Sequence, residues 1–125
     1  MTYRWFSPEK DPLMVGLSAE LMSKLDTART VLGLPLIISG GLRNCAANAA
    51  VMGAEHSAHI QGLAADLGLG HLAEGYDRDN ARILMIKALL SAGFVRMGLY
   101  SAHIHVDVGQ SPDYVQEVAW FTMTA

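Results

Sequence analysis

Two distant stretches hold the residues whose types and spacing could do chemistry: SAHIQGLAAD at residues 57–66 and AHIHVDVG at residues 102–109. The first supplies His59 and Asp66, and the second supplies His103, His105 and Asp107. Two imidazoles with one carboxylate are a common catalytic zinc set that leaves a fourth position open for water. Nitrogen donors suit zinc better than calcium or magnesium, which take oxygen. The expected cofactor is therefore one zinc ion per chain. A lone His-Asp or His-x-His pair is ordinary on a solvated surface. Here both segments are otherwise apolar, small-residue runs, in which polar groups on one face need a reason.

The elements that must position these groups read as two strands. In LAADLGL, residues 63–69, period-two alternation puts Leu63, Ala65, Leu67 and Leu69 on one face and Ala64, Asp66 and Gly68 on the other. In HIHVDV, residues 103–108, it puts Ile104, Val106 and Val108 on a core face opposite His103, His105 and Asp107. Paired side by side, the strands gather their polar groups. Gly62 permits a tight turn that brings His59 back over the sheet. Asp107 has two possible tasks: orienting a ligating imidazole through its other nitrogen, or capping the turn at Gly109. Spacing alone leaves His103 and His105 as alternatives for the third ligand.

Around these strands, residues 1–12 read as an irregular arm whose Tyr3, Trp5 and Phe6 pack on the core. Ser18 is a plausible N-cap for a helix over residues 19–32, with Leu21, Met22, Leu25, Ala28, Val31 and Leu32 along one side and Gly33 at the stop. PLIIS, residues 35–39, looks like a short buried strand broken by Gly40-Gly41. Asn44 caps an alanine-rich helix over residues 45–52, followed by a loop with Glu55, His56, Ser57 and His59. Asp77 or Asp79 starts a further helix with Ile83, Leu84, Ile86, Lys87 and Leu90 spaced for one buried side and Gly93 at its close. FVRMGLY then forms an antiparallel hairpin with HIHVDV. Residues 113–121 fit either a last helical turn or an edge strand.

The chain has 125 residues, 51% hydrophobic and 17% charged. This is the composition of one folded domain with a real core. A net charge of -3 argues against a nucleic-acid partner, which demands a basic surface. The single cysteine, Cys45, excludes an intramolecular disulfide, and no CxxC pattern suggests a structural zinc knuckle. No run approaches the ~20 apolar residues needed to span a bilayer, and the N-terminus lacks the apolar stretch of a signal peptide. These features predict a cytoplasmic product without stable membrane insertion.

The motifs together resemble those of the peptidase M15 family, the zinc peptidases that include D-alanyl-D-alanine carboxypeptidases and phage L-alanyl-D-glutamate endolysins. Ser57-Ala58-His59, Gly62-Leu63-Ala64-Ala65-Asp66 and His105-Val106-Asp107 resemble the family signature of Ser-x-His, Gly-x-Ala-x-Asp and a late His-x-Asp, in the same order. Upstream, GGLRNCAANAAVMG resembles the family segment in which a strand ends on an arginine and leads into a helix, here with Asn48 to Gly53. The resemblance covers most of the chain. It implies an α+β fold, a small antiparallel sheet with helices packed on one face.

The resemblance also implies that His59, Asp66 and His105 are the zinc ligands, that Arg43 contacts substrate and stabilises an oxyanion, and that Ser57 contacts substrate. One departure matters. Several branches of the family carry an acidic general base three residues before the last zinc histidine, where this chain has Ala102. His103 is then the nearest proton acceptor, with Glu55 a second candidate; the His-Ile-His arrangement is also similar to the zinc site of the hedgehog signalling domain. Cys45 as a thiol nucleophile with His59 as base would leave Asp66 and His105 unexplained. The implied activity is a zinc peptidase, a monomer acting on peptidoglycan stem peptides. It would work on the wall after release from the cell, as a phage or prophage lysis enzyme, or as a virion-borne component. The alternative is a zinc-containing binding or virion structural module of the same fold that does not hydrolyse.

Overall fold

Alternating apolar and polar residues build a five-stranded sheet in this computed structural model, which describes residues 2–42, 58–59, 61–72, 77–109 and 116–121. The strands are β1 (Ile38–Gly40), β2 (Ala64–Gly68), β3 (Arg96–Leu99), β4 (His103–Asp107) and β5 (Val118–Phe121), in the order β1-β2-β4-β3-β5. The first four pair antiparallel, and the expected β3–β4 hairpin is present. The chain between them belongs to an α+β fold.

β5 joins β3 in parallel, so the sheet expected to be antiparallel is mixed. The reason is directional. β4 ends with Asp107 beside the start of β3, so a strand that passes this end to reach β3's open edge enters in β3's own direction. β1 is shorter than PLIIS implied and includes Gly40; its register against β2 shifts between Ile38 and Gly40. The helix expected over residues 45–52 lies outside the described residues.

Among the described residues, two α-helices cover the core face. Helix α1 (Ala19–Leu32) has the expected limits: the Ser18 hydroxyl accepts from the Leu21 N–H, and Gly33 ends it at φ 72. Leu21, Met22, Leu25 and Ala28 are buried. Val31 is 52% exposed, because at about 100° per residue it falls roughly 120° round the helix from Leu25.

Helix α2 (Arg78–Ser91) starts at Asp77, whose carboxylate accepts from the Asn80 N–H. Its buried stripe is Ala81, Met85, Ala88 and Leu89; of the expected Ile83, Leu84, Ile86, Lys87 and Leu90, Ile86 is half-buried against the core, whereas Ile83 and Leu90 are 52% and 58% exposed. Both stripes have helical spacing. The one with alanines lets α2 approach its neighbours closely, and close packing decides between them. Ala81, Met85 and Leu89 form one core with Ala65 and Leu67 of β2, Met97 of β3 and Ile104 and Val106 of β4.

The N-terminal arm is pinned to α1. Phe6 enters the core, the Arg4 and Trp5 N–H groups donate to the Asp26 carboxylate, and the Trp5 indole donates to Thr30 beneath the Arg29 guanidinium.

The turn before β2 fixes the approach of His59. The Gly62 N–H donates to the His59 carbonyl at 3.3 Å and the Leu63 N–H to the Ala58 carbonyl at 3.0 Å. Gly62 sits at φ 70, and a Cβ there would strike the Gly16 carbonyl. Its own carbonyl accepts from the Ser18 N–H at 2.9 Å, which ties this turn to the start of α1.

Two stability measurements by chemical denaturation follow. Gly62→Ala should cost about 1–3 kcal/mol or more, since left-handed strain and a clash coincide, whereas Gly70→Ala, with open space around its Cβ position, should change stability by less than about 0.5 kcal/mol. Met85→Ala should cost about 2–5 kcal/mol, and Leu90→Ala should stay within about 0.5 kcal/mol; a reversed order would restore the stripe first expected for α2.

Candidate metal centre

Opposite the core, the sheet presents a polar face built by the β2–β4 ladder. Ala64 pairs with Asp107, Asp66 with His105 and Gly68 with His103. The alternation expected from the sequence therefore puts Asp66, His103 and His105 on one face while Ile104 and Val106 are fully buried on the other. The turn at Gly62 delivers His59 to the same place, where it is buried.

Hydrogen bonds behind the rings set their tautomers. His59 Nδ1 lies 2.9 Å from the Gly41 carbonyl, which can only accept, so Nδ1 carries the proton and Nε2 presents a lone pair. His105 Nε2 lies 2.8 Å from Asp107 Oδ2, which leaves Nδ1 as the lone-pair nitrogen when the ring is neutral. Asp107 is held in turn by Arg96 Nε at 2.6 Å and the Gly109 N–H at 3.1 Å. Asp107 thus holds the His105 ring through one carboxylate oxygen and caps the turn at Gly109 through the other. Fixing the outer nitrogen of a ligating imidazole is the usual way its orientation and basicity are set.

The inward-facing atoms converge. His59 Nε2 is 3.1 Å from His105 Nδ1 and 3.2 Å from Asp66 Oδ1, and His105 Nδ1 is 3.4 Å from Asp66 Oδ1. Tetrahedral zinc with bonds of about 2.0–2.1 Å would hold neighbouring ligand atoms roughly 3.3–3.4 Å apart. Three acceptor atoms at this spacing in a buried site fit one divalent ion, and these residues could hold it.

The electrostatics have the same cause. Burial pushes the Asp66 carboxyl up, but the adjoining His105 and His59 imidazoles, which donate to it whenever they carry an inward proton, outweigh burial and hold the group well below the usual carboxylate range. Burial pushes the His105 imidazole down, yet its hydrogen bonds to Asp107 and Asp66 hold it above the ordinary 6.5. Asp107 is raised by burial and lowered further by His105 and Arg96, so it stays ionised.

His103 stands one ladder position from this set. Its Nε2 is 3.7 Å from Asp66 Oδ1, beyond hydrogen-bond reach, and its ring stacks on Tyr100 with centroids 4.5 Å apart and planes 9° apart. Ala102 is exposed at the position of the missing acid. Arg43, Cys45, Glu55, His56 and Ser57 lie outside the described residues. His71 bonds to the Pro35 carbonyl.

Sequence reasoning missed Arg96, Tyr100, Trp120 and the Gly41 carbonyl. Arg96 had a signal: alternation within RMGL, together with the hairpin, puts it beside Asp107 on the polar face. Trp120 had none, because its strand was ambiguous.

Among the described residues no helix is long and apolar enough to cross a membrane. No curated protein matches the chain. A family model described as Peptidase M15 matches residues 6–107. That span is more than half of the 125 residues and ends on Asp107, the carboxylate behind the converging imidazoles; the chain belongs to the peptidase M15 family.

Proposed function

We propose that this peptidase is a zinc enzyme that hydrolyses stem peptides of bacterial peptidoglycan, with His59, Asp66 and His105 as the metal ligands. The convergence of His59 Nε2, Asp66 Oδ1 and His105 Nδ1 within hydrogen-bond distance of one another carries the reading. A zinc ion held there would lower the pKa of a bound water and polarise the scissile carbonyl.

The remaining tasks fall to the chain. His103, half-buried and held face to face with Tyr100, is the proposed proton acceptor for the attacking water. Asp107 and Arg96 keep His105 from turning. Arg43 is the proposed partner of the oxyanion and Ser57 a substrate contact, both on the strength of the family motif. Ala102 favours a second reading, a metal-binding module without hydrolysis, and turnover decides between them.

Metal analysis should find about one zinc per chain, and a chelator should lower the melting temperature, because an ion bound only by the native state stabilises it. His59→Ala and Asp66→Ala should each abolish zinc binding, while Cys45→Ala keeps both zinc and turnover. The proton on His105 competes with the metal. Since that imidazole is held above 6.5, apparent zinc affinity should climb as pH rises through neutrality, and in the metal-free protein the ring's stabilising contribution should be full below 6.5 and fade as pH rises past the folded value. A pH-independent affinity would remove His105 from the ligand set.

His103→Ala should retain zinc and fold but lose roughly a hundredfold or more in kcat on muropeptides, whereas His105→Ala should lose the metal. Near wild-type turnover in His103→Ala would move the base elsewhere and make Glu55→Gln the next variant to measure. A zinc-loaded wild type that binds but cleaves no wall peptide would establish the non-hydrolytic module.

A further inference from the structure

One line of residues crosses the whole sheet on the polar face: Gly40, Asp66, His105, Gly98 and Trp120 are successive partners from β1 to β5. His105 therefore has a carboxylate on the β2 side and, on the β3 side, a strand position with no side chain. An imidazole beside such a gap has room to swing into it. Trp120, one strand further on, fills the gap. An ideal Cβ on Gly98 would lie 2.5, 2.6 and 2.8 Å from Nε1, Cε2 and Cζ2 of the indole, its three nearest atoms. Glycine here is what lets the indole lie down over β3 against His105.

The indole and the His105 ring are tilted at 51° with centroids 5.2 Å apart. His105 also meets the His59 ring edge to face at 5.0 Å and bonds through Nε2 to Asp107 at 2.8 Å. The indole is itself anchored at two points. Its N–H donates to the Tyr100 hydroxyl at 3.3 Å, and the Arg96 guanidinium lies 5.4 Å from its centre. The same guanidinium bonds Asp107, so Arg96 joins the carboxylate and the indole that both bear on His105. Trp120 lies beyond residues 6–107, the span matched to the family.

We propose that Trp120 is a positioning residue for the metal: its indole, lodged over Gly98, keeps the His105 imidazole turned toward Asp66 and His59 and so raises the affinity of the site for zinc. This rests on the reading of those three residues as ligands. Asp107 fixes one atom of the ring, and a ring held at one atom still rocks about that bond. Ring surface beside it stops the rocking and keeps water from competing for the Asp107 bond. Groups behind a ligating imidazole commonly change metal affinity by about 10–100-fold.

The test measures zinc affinity of the full chain by competition with a chromophoric chelator. Trp120→Ala should bind zinc about 10–100-fold more weakly than the wild type. Gly98→Ala, whose methyl displaces the indole, should weaken zinc binding in the same direction. Because that methyl acts through the indole, the double variant should match Trp120→Ala within about threefold. Cobalt bound in place of zinc reports ligand geometry in its visible absorption, and that spectrum should differ between the wild type and Trp120→Ala. A residue that only supports the fold lowers the melting temperature but, while the native state stays populated, moves neither the affinity nor the cobalt spectrum. Should Trp120→Ala fail to fold, Trp120→Leu, which keeps an apolar side chain without a ring, takes its place in the same comparison.

Wild-type zinc affinity in the Trp120 variant would overturn the proposal and leave the ligand assignment standing. A weaker affinity with an unchanged cobalt spectrum would overturn it too, because the ring would not have turned. Losses that multiply in the double variant would also do so, since Gly98→Ala would then act by a route other than the indole. A wild-type protein that takes up no zinc would remove the ligand assignment and this proposal with it.

Discussion

Asp66 faces His105 across the β2–β4 ladder, and the polar face inherits its order from that register. Side chains alternate with a period of two, so a slip of one residue would carry Asp66 into the core and bring Leu67 out to the ligand face. Apolar burial forbids the slip. Ala65, Leu67, Ile104 and Val106 are wholly buried on the opposite face, and the larger of them contribute roughly 1.5–3 kcal/mol each by leaving water. The same contacts that hold the helices to the sheet therefore hold the carboxylate against the imidazole. No separate device is needed to aim it.

Register alone would leave three acceptor atoms facing one another, an arrangement unfavourable without a cation or a shared proton. The surroundings make it sustainable. A backbone carbonyl behind His59, and Asp107 backed by Arg96 behind His105, give each imidazole an outward N–H bond and a single inward lone pair. Arg96 and Asp107 are themselves almost fully buried. Removing one member of such a pair strands the other charge in a poorly solvated place, at about 3–5 kcal/mol. The ion pair is thus committed to staying formed, and His105 is held with it.

How much of this was legible in the sequence follows from the range of the forces involved. The alternation in LAADLGL and HIHVDV is a local property, and it was enough to place Asp66, His103 and His105 on one face. Ser18, Gly33 and Asp77 are local stop and start signals, and both helix limits agree with them. The buried side of α2 was misjudged because two stripes of helical period compete there, and the choice depends on how closely a neighbouring helix can approach Ala81 and Ala88. The contact of Trp120 with His105 depends on a strand entering beside β3 from a remote part of the chain, which no local pattern encodes. The distinction between His103 and His105 was likewise invisible to spacing; it came from the family motif, while the trio of converging side chains among the described residues is His59, Asp66 and His105.

The site is also divided along the chain in a way that bears on how it assembles. His105, Asp107 and Arg96 belong to a contiguous unit of α2 and the β3–β4 hairpin, in which Arg82 on the helix donates to the carbonyls of Tyr100 and Ser101 at the hairpin bend. Contacts this local form early, because little chain entropy is lost in closing them. Gly41, His59 and Asp66 arrive from the other part of the chain, and they arrive only when β2 docks along β4. Docking of β2 completes the central ladder and closes the ligand triangle in the same step. Pairing of β2 with β4 is therefore the contact that sets Asp66 beside His105.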